Sequence, residues 1–221
     1  MDRDALAVVF EDDWLLVVDK PSGLAAHAAQ GSPGPDLLTL ARVGRPYVGL
    51  LHRLDREASG LLLLSKRPEA NAPLQRQLEQ HSLERDYTAI LAGRLAPGVH
   101  VVDRPISERS QGRAALRRRP PPDAQPARSH FTVVRGLGAR ATLVEVRLET
   151  GRKHQIRVHA AALGHAILGD RRYVGPPAPR LCLHASRLRL RHPADDRALD
   201  LAAALPAALT TLLAALAGDP A

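Results

Sequence analysis

Short apolar blocks separated by turn-forming clusters set the pattern of this chain. Trp14 to Val18 is an apolar, β-favouring run that ends at Asp19-Lys20-Pro21-Ser22-Gly23, so it predicts a strand followed by a loop. Asp36 to Val43 predicts a brief helix, Gly49 to Leu54 an extended stretch, and Asp55 to Ser59 a polar break. Gly60 to Ser65 then runs apolar without alternation, the pattern of a strand buried on both faces or central in a sheet. Pro68 to Leu83 places a proline in a first turn and Leu74 and Leu78 at helical spacing, which predicts an amphipathic helix.

Arg85 to Leu95 reads as a further strand, followed by extended runs at Val99 to Val102, Ser129 to Val134 and Ala141 to Leu148. The last alternates Leu143, Glu145 and Arg147 against Val144, Val146 and Leu148, as antiparallel pairing requires. Arg152 to Leu163 predicts a helix closed by Gly164, Leu181 to Leu190 a strand, and the alanine-rich tail from Leu201 to Gly218 a packed surface helix. Strands outnumber helices without regular alternation. The fold class expected is therefore α+β, a mixed, largely antiparallel β-sheet core with flanking helices. No linker divides the chain, so residues 1–221 are expected to form a single domain, with 107–128, rich in arginine and carrying Pro120 to Pro122, as a flexible basic loop.

Composition narrows the function. Lys and Arg number 31 against 23 Asp and Glu, a net charge of +8 that points toward a polyanionic partner, nucleic acid before membrane, unless the surface is simply arginine-rich. One cysteine, Cys182, excludes a disulfide framework and a cysteine-rich zinc module and fits a reducing, cytoplasmic setting. The acidic start, Asp2, Asp4, Glu11, Asp12 and Asp13, does not read as a signal peptide, and Pro206 with Thr210-Thr211 interrupts the apolar tail, so no membrane association is expected. A monomer is expected because no apolar association stripe is visible.

The segment His52-Arg53-Leu54-Asp55-Arg56-Glu57-Ala58-Ser59-Gly60 sets one carboxylate in a polar turn between two apolar strands. Reactive groups are often carried on such loops, although Asp before Ser-Gly is also ordinary turn chemistry. This nonapeptide resembles the H-R-L-D-x-x-T-S-G signature of RluA-type RNA pseudouridine synthases, with Ala58 at the Thr position. Other segments follow in the same family's order. Asp19-Lys20-Pro21-Ser22-Gly23-Leu24 resembles its D-K-P-x-G-L opening, and Arg85-Asp86-Tyr87-Thr88-Ala89 its K-x-Y-x-A strand, with Arg85 replacing Lys. Thr150 to His159 resembles T-G-R-x-H-Q-I-R-V-H, Gly164 to Asp170 resembles G-H-P-I-x-G-D, and Leu183-His184-Ala185 with Leu188 and His192-Pro193 resembles the closing block.

The resemblance implies isomerisation of a uridine in RNA to pseudouridine without a cofactor or metal. Asp55 would be the catalytic residue, as nucleophile or base; Arg157 the cation that holds it ionised; and Tyr87 the aromatic face for a flipped-out base. Arg53, beside the catalytic loop, would fill the gap left by the base or meet phosphate, and His52, Arg152, Lys153 and His154 are further candidate RNA contacts. A stem-loop of transfer RNA or 23S ribosomal RNA is the expected substrate. The first motif begins so near the first residue that grip on RNA is expected from the catalytic domain's own basic surface rather than an accessory N-terminal domain.

Two other readings compete. His52, Asp55, His154 and His159 could suggest a metal-dependent hydrolase, but their spacing matches no strong metal template, and activity surviving EDTA would count against it. A catalytically silent RNA-binding module on the same scaffold is the second alternative. Against it stands Asp55, since a pure binder has no use for a carboxylate facing a polyanion.

Overall fold

The computed structural model describes residues 6–27, 34–107, 109 and 121–217. Most of the 107–128 loop expected from the sequence lies outside the described residues. The chain forms two compact units, Met1–Arg85 with Ala185–Ala204, and Asp86–His184 with Leu205–Ala221.

The first unit is built on strands β1 (Ala7–Glu11), β2 (Leu15–Lys20), β3 (Gly49–Leu50) and β4 (Ser59–Ser65) and helices α1 (Leu37–Ala41) and α2 (Pro68–Glu79). Most of β9 (Leu183–Arg191) and all of β10 (Ala198–Ala202) complete it. β2 pairs antiparallel with β1 and with β4, β9 follows β4 in the sheet, β3 pairs the far end of β4, and β10 pairs β9. Every residue of β4 is buried, as its unbroken apolar run predicts. One face carries Leu15 and Val17 of β2, Leu61 and Leu63 of β4, and Leu188 and Leu190 of β9, and this face is covered by Ala70 and Leu74 of α2.

Asp36 caps α1 through its carboxylate, which accepts from Thr39 N at 2.7 Å. Helix α2 begins with Pro68 in its first turn but ends at Glu79, short of the expected Leu83. The backbone turns left-handed at His81, φ 57°, and the amides of Ser82 and Leu83 both return to Gln77 O, which drops Leu83 into the core. Strand β3 is likewise shorter than its expected run to Leu54, for a reason that belongs to the site. The unexpected strands, β1 and β10, are exposed at most positions. β1 is an apolar run, Ala7-Val8-Val9-Phe10, that stays largely exposed as the edge strand beside β2, and β10 is a short Leu199-Asp200-Leu201 alternation that overlaps the start of the expected tail helix.

The second unit holds the rest of β5 (Glu84–Ala92), β6 (Val99–Asp103), β7 (Arg128–Leu137) and β8 (Ala141–Leu148), in the order β5-β8-β7-β6 and antiparallel throughout. In β8, Val144 and Val146 are buried and Glu145 and Arg147 exposed, as the alternation requires. Helices α3 (Gln155–Ala162) and α4 (Ala207–Ala217) both pack against β7. α3 starts three residues after the expected Arg152, because His154 adopts the left-handed conformation, φ 57° and ψ 21°, and cannot continue a helix. α4 is the helix expected in the tail, begun after Pro206. Among the described residues, no helix is long and apolar enough to cross a membrane.

Candidate active site

Asp55 lies in the first unit, on the loop between β3 and β4. Its neighbour Leu54 is buried, as is Ala58 after it, so two apolar anchors hold a half-buried carboxylate between them. The amide of Ala58 closes a turn onto Asp55 O at 3.1 Å.

What ties this loop down is a lysine. Lys20 is fully buried, and its ammonium donates to Ala58 O at 2.6 Å, Leu24 O at 2.8 Å, Pro21 O at 2.9 Å and Arg56 O at 3.3 Å. A buried ammonium is tolerated only when its protons are taken up, and here backbone carbonyls of two loops converge on it. Ser22 Oγ donates to Glu57 O at 2.6 Å, Gly23 N donates to Arg56 O at 2.8 Å, and Arg56 Nε returns to Gly23 O at 2.8 Å. The Asp19-to-Leu24 motif and the Asp55 motif thus form one interlocked piece of backbone. Gly60 completes it with φ +112°, where a Cβ would collide with the backbone of Ala185.

His52 ends β3. Beyond Leu50 the chain leaves the sheet, and the His52 ring takes over as acceptor for the amide of Leu63, Nε2 to N at 3.3 Å. Burial, reinforced by the Arg85 guanidinium, pushes its pKa down to about 3, so the imidazole is neutral and brings no charge to a phosphate. Arg53 is exposed.

Tyr87 and Arg157 belong to the second unit. Tyr87 is buried in β5 opposite Val146 of β8. Arg157 is only 2% exposed, and Asp170 meets its guanidinium edge-on: Nε donates to Oδ2 at 2.7 Å and Nη2 to Oδ1 at 2.9 Å. The Tyr173 ring lies 5.4 Å from the guanidinium carbon, and the Tyr173 hydroxyl is 2.9 Å from His154 Nδ1. Asp170 is therefore a partner of Arg157 that the sequence reading did not single out, although it stands in a quoted motif.

The helix carrying Arg157 is fixed from its other side by a chain of side chains. Gln155 donates from Nε2 to Arg128 O and Ser129 Oγ, both at 2.9 Å, while its Oε1 accepts from Thr150 Oγ1 at 2.7 Å and Arg152 N at 3.0 Å. Ser129 Oγ is 2.9 Å from His159 Nδ1, and His159 Nε2 is 3.0 Å from Arg104 O. The directions agree with a neutral His159 donating from Nε2, and burial is the main cause of its lowered pKa. His154 and His159 serve separate tasks at the two ends of α3. Of the other expected RNA contacts, Lys153 is exposed and Arg152, also exposed, donates from Nε to Pro126 O at 3.1 Å, whereas the half-buried His154 is engaged with Tyr173.

With the carboxylate loop and the arginine helix described, comparison with known proteins gives the class. Residues 14–162 match the family model described as RNA pseudouridylate synthase. The chain belongs to that family, in its RluA branch, and the family's enzymes are isomerases. It is 37% identical to "Ribosomal large subunit pseudouridine synthase D" of Nitrosomonas europaea, over 97% of this chain and 66% of that protein. To "Uncharacterized RNA pseudouridine synthase YhcT" of Bacillus subtilis it is also 37% identical, over 94% of this chain and 71% of that protein. The solved structure "Human RNA Pseudouridylate Synthase Domain Containing 4" matches with a TM-score of 0.78 at 27% identity, covering 99% of this chain and 97% of that one. The α+β class expected from the pattern is the fold observed.

Proposed function

We propose that this protein converts a specific uridine of ribosomal RNA to pseudouridine, with Asp55 as the group that does the chemistry. The C1′–N1 bond breaks, the uracil rotates, a C1′–C5 bond forms, and the proton displaced from C5 is matched by one gained at N1. An ionised carboxylate serves this sequence either as nucleophile or as base. Tyr87 would provide the face on which the extruded base rests, and Arg157 the positive charge that favours the ionised acid. Exposed Arg53, Arg152 and Lys153 would meet the RNA backbone.

The observation that carries the reading is the Asp55 loop itself. The half-buried carboxylate of Asp55 is presented on backbone cross-tied by Lys20, Ser22 and Gly23, more restraint than a solvent-facing turn requires. The choice of ribosomal over transfer RNA draws on relatives named for the ribosomal large subunit. Mapping pseudouridines in total RNA of a deletion strain tests it: one large-subunit position should revert to uridine, and loss of a transfer RNA position instead would redirect the proposal. Asp55→Asn should abolish product while retaining RNA binding. Wild-type protein that binds this RNA without forming pseudouridine would instead establish a silent binding module.

A further inference from the structure

We propose that Asp170 and Tyr173 are positioning residues that hold the Arg157 guanidinium in a single orientation and, through Asp170, offset its charge. The inference rests on the reading of Arg157 as the cation that serves Asp55, and it adds what sets that cation's direction and field.

An arginine side chain has many rotamers, so a buried guanidinium keeps one pose only if something rigid engages its fork. Asp170 is rigid. Its Oδ1 accepts from the amides of Arg172 at 3.0 Å and Tyr173 at 3.1 Å. Its own amide donates to Ile167 O at 3.1 Å, and its carbonyl accepts from Gly175 N at 2.8 Å. The turn tolerates no side chain at two flanking positions. A Cβ at Gly169, φ +78°, would strike Arg180 O, and one at Gly175 would strike Ile167 O.

Tyr173 closes the circuit. Its ring lies against the guanidinium, and its hydroxyl reaches His154 at the start of the helix that bears Arg157. The path thus runs from α3 through Arg157 to Asp170, along the turn to Tyr173, and back through His154 to α3. A buried ion pair contributes little net stability compared with an apolar replacement of the same volume. Core stability therefore does not explain so constrained a turn, whereas orientation does. The carboxylate against the Nε–Nη2 edge also cancels much of the field Arg157 would otherwise project.

The test uses the full chain and an in vitro transcript of large-subunit ribosomal RNA, with turnover read as tritium released from C5 of labelled uridines. Asp170→Asn keeps an acceptor for the guanidinium but removes the charge. It should lower kcat at least about tenfold at saturating RNA, leave the Kd for the transcript within twofold, and move the acid limb of the kcat–pH profile to lower pH, because the unmasked cation favours an ionised acid. A loss of kcat with the acid limb unmoved would make Asp170 a structural residue only and overturn the proposal. If Asp170→Asn does not fold, Asp170→Glu keeps the charge but displaces the fork, and an unchanged kcat in that variant would overturn it equally. Asp55→Asn, run alongside, separates the two claims: full turnover in Asp55→Asn sinks the functional reading, whereas an inactive Asp55→Asn beside a normal Asp170→Glu sinks only this one.

Discussion

The Asp55 loop and the Arg157 helix are secured by opposite means. In the first unit one ammonium gathers backbone carbonyls, so the restraint falls on the main chain of the loop that carries Asp55. In the second unit the restraint falls on side chains: the Asp170 fork on one face of α3, and Gln155, Ser129 and His159 on the other. A loop has no repetitive hydrogen bonding of its own and needs its carbonyls satisfied from outside. A helix satisfies its backbone internally, so what remains to be set is its rotation and the direction of its side chains.

Removing Lys20 tests this contrast most severely. Lys20→Met leaves the carbonyls of Pro21, Leu24 and Ala58 without their shared donor, and at about 1–3 kcal/mol for each buried group left unpaired the loss should be roughly 3 kcal/mol or more. Urea denaturation should show it, and kcat should fall as well; unchanged stability and turnover would break the comparison. Gln155→Leu is the counterpart in the second unit. It deletes four hydrogen bonds made by one side chain and should cost about 2–3 kcal/mol, with the melting temperature lowered and RNA affinity at fixed salt unaffected.

A smaller effect sharpens the role of His52. Its folded pKa is about 3 against an ordinary 6.5, so the unfolded chain takes up a proton that the folded one refuses. Stability contributed by the neutral ring is complete above pH 6.5 and is lost as pH falls toward 3, with a slope of at most about 1.4 kcal/mol per pH unit. The urea midpoint of His52→Gln should decline less steeply across that window than that of the unaltered protein. An identical slope would mean His52 is not held neutral. The smallest change expected is from Arg53→Ala, which should weaken RNA binding modestly and lower the slope of log Kd against log salt by about one, as for one phosphate contact. No change in that slope would assign Arg53 to the base gap instead.

Legibility followed burial. The β4 run and the alternation in β8 announced their strands, since apolar periodicity reports which face is covered. β1 and β10 were not expected although both are apolar in sequence, because runs of five residues leave strand, loop and helix end undistinguished and Leu201 was assigned to the tail helix, and the ends of α2 and α3 were misplaced because His81 and His154 adopt left-handed backbone that residue type does not announce. The motifs marked Asp55, Tyr87 and Arg157 as the residues of interest, yet the same motifs held Lys20, Gln155 and Asp170 with no role assigned.

From the order of its residues alone, this chain declares its central buried strands, its class of enzyme and the single carboxylate on which the proposed chemistry depends, because side-chain pattern and motif spacing are one-dimensional properties. The partners of that machinery were decided only in three dimensions. Lys20 bonds to carbonyls that every residue type carries, His52 becomes neutral through burial and the charge of Arg85, and Arg157 meets Asp170 across a turn whose tightness depends on glycines. Each of these depends on distance and on exclusion of water, which linear order does not encode.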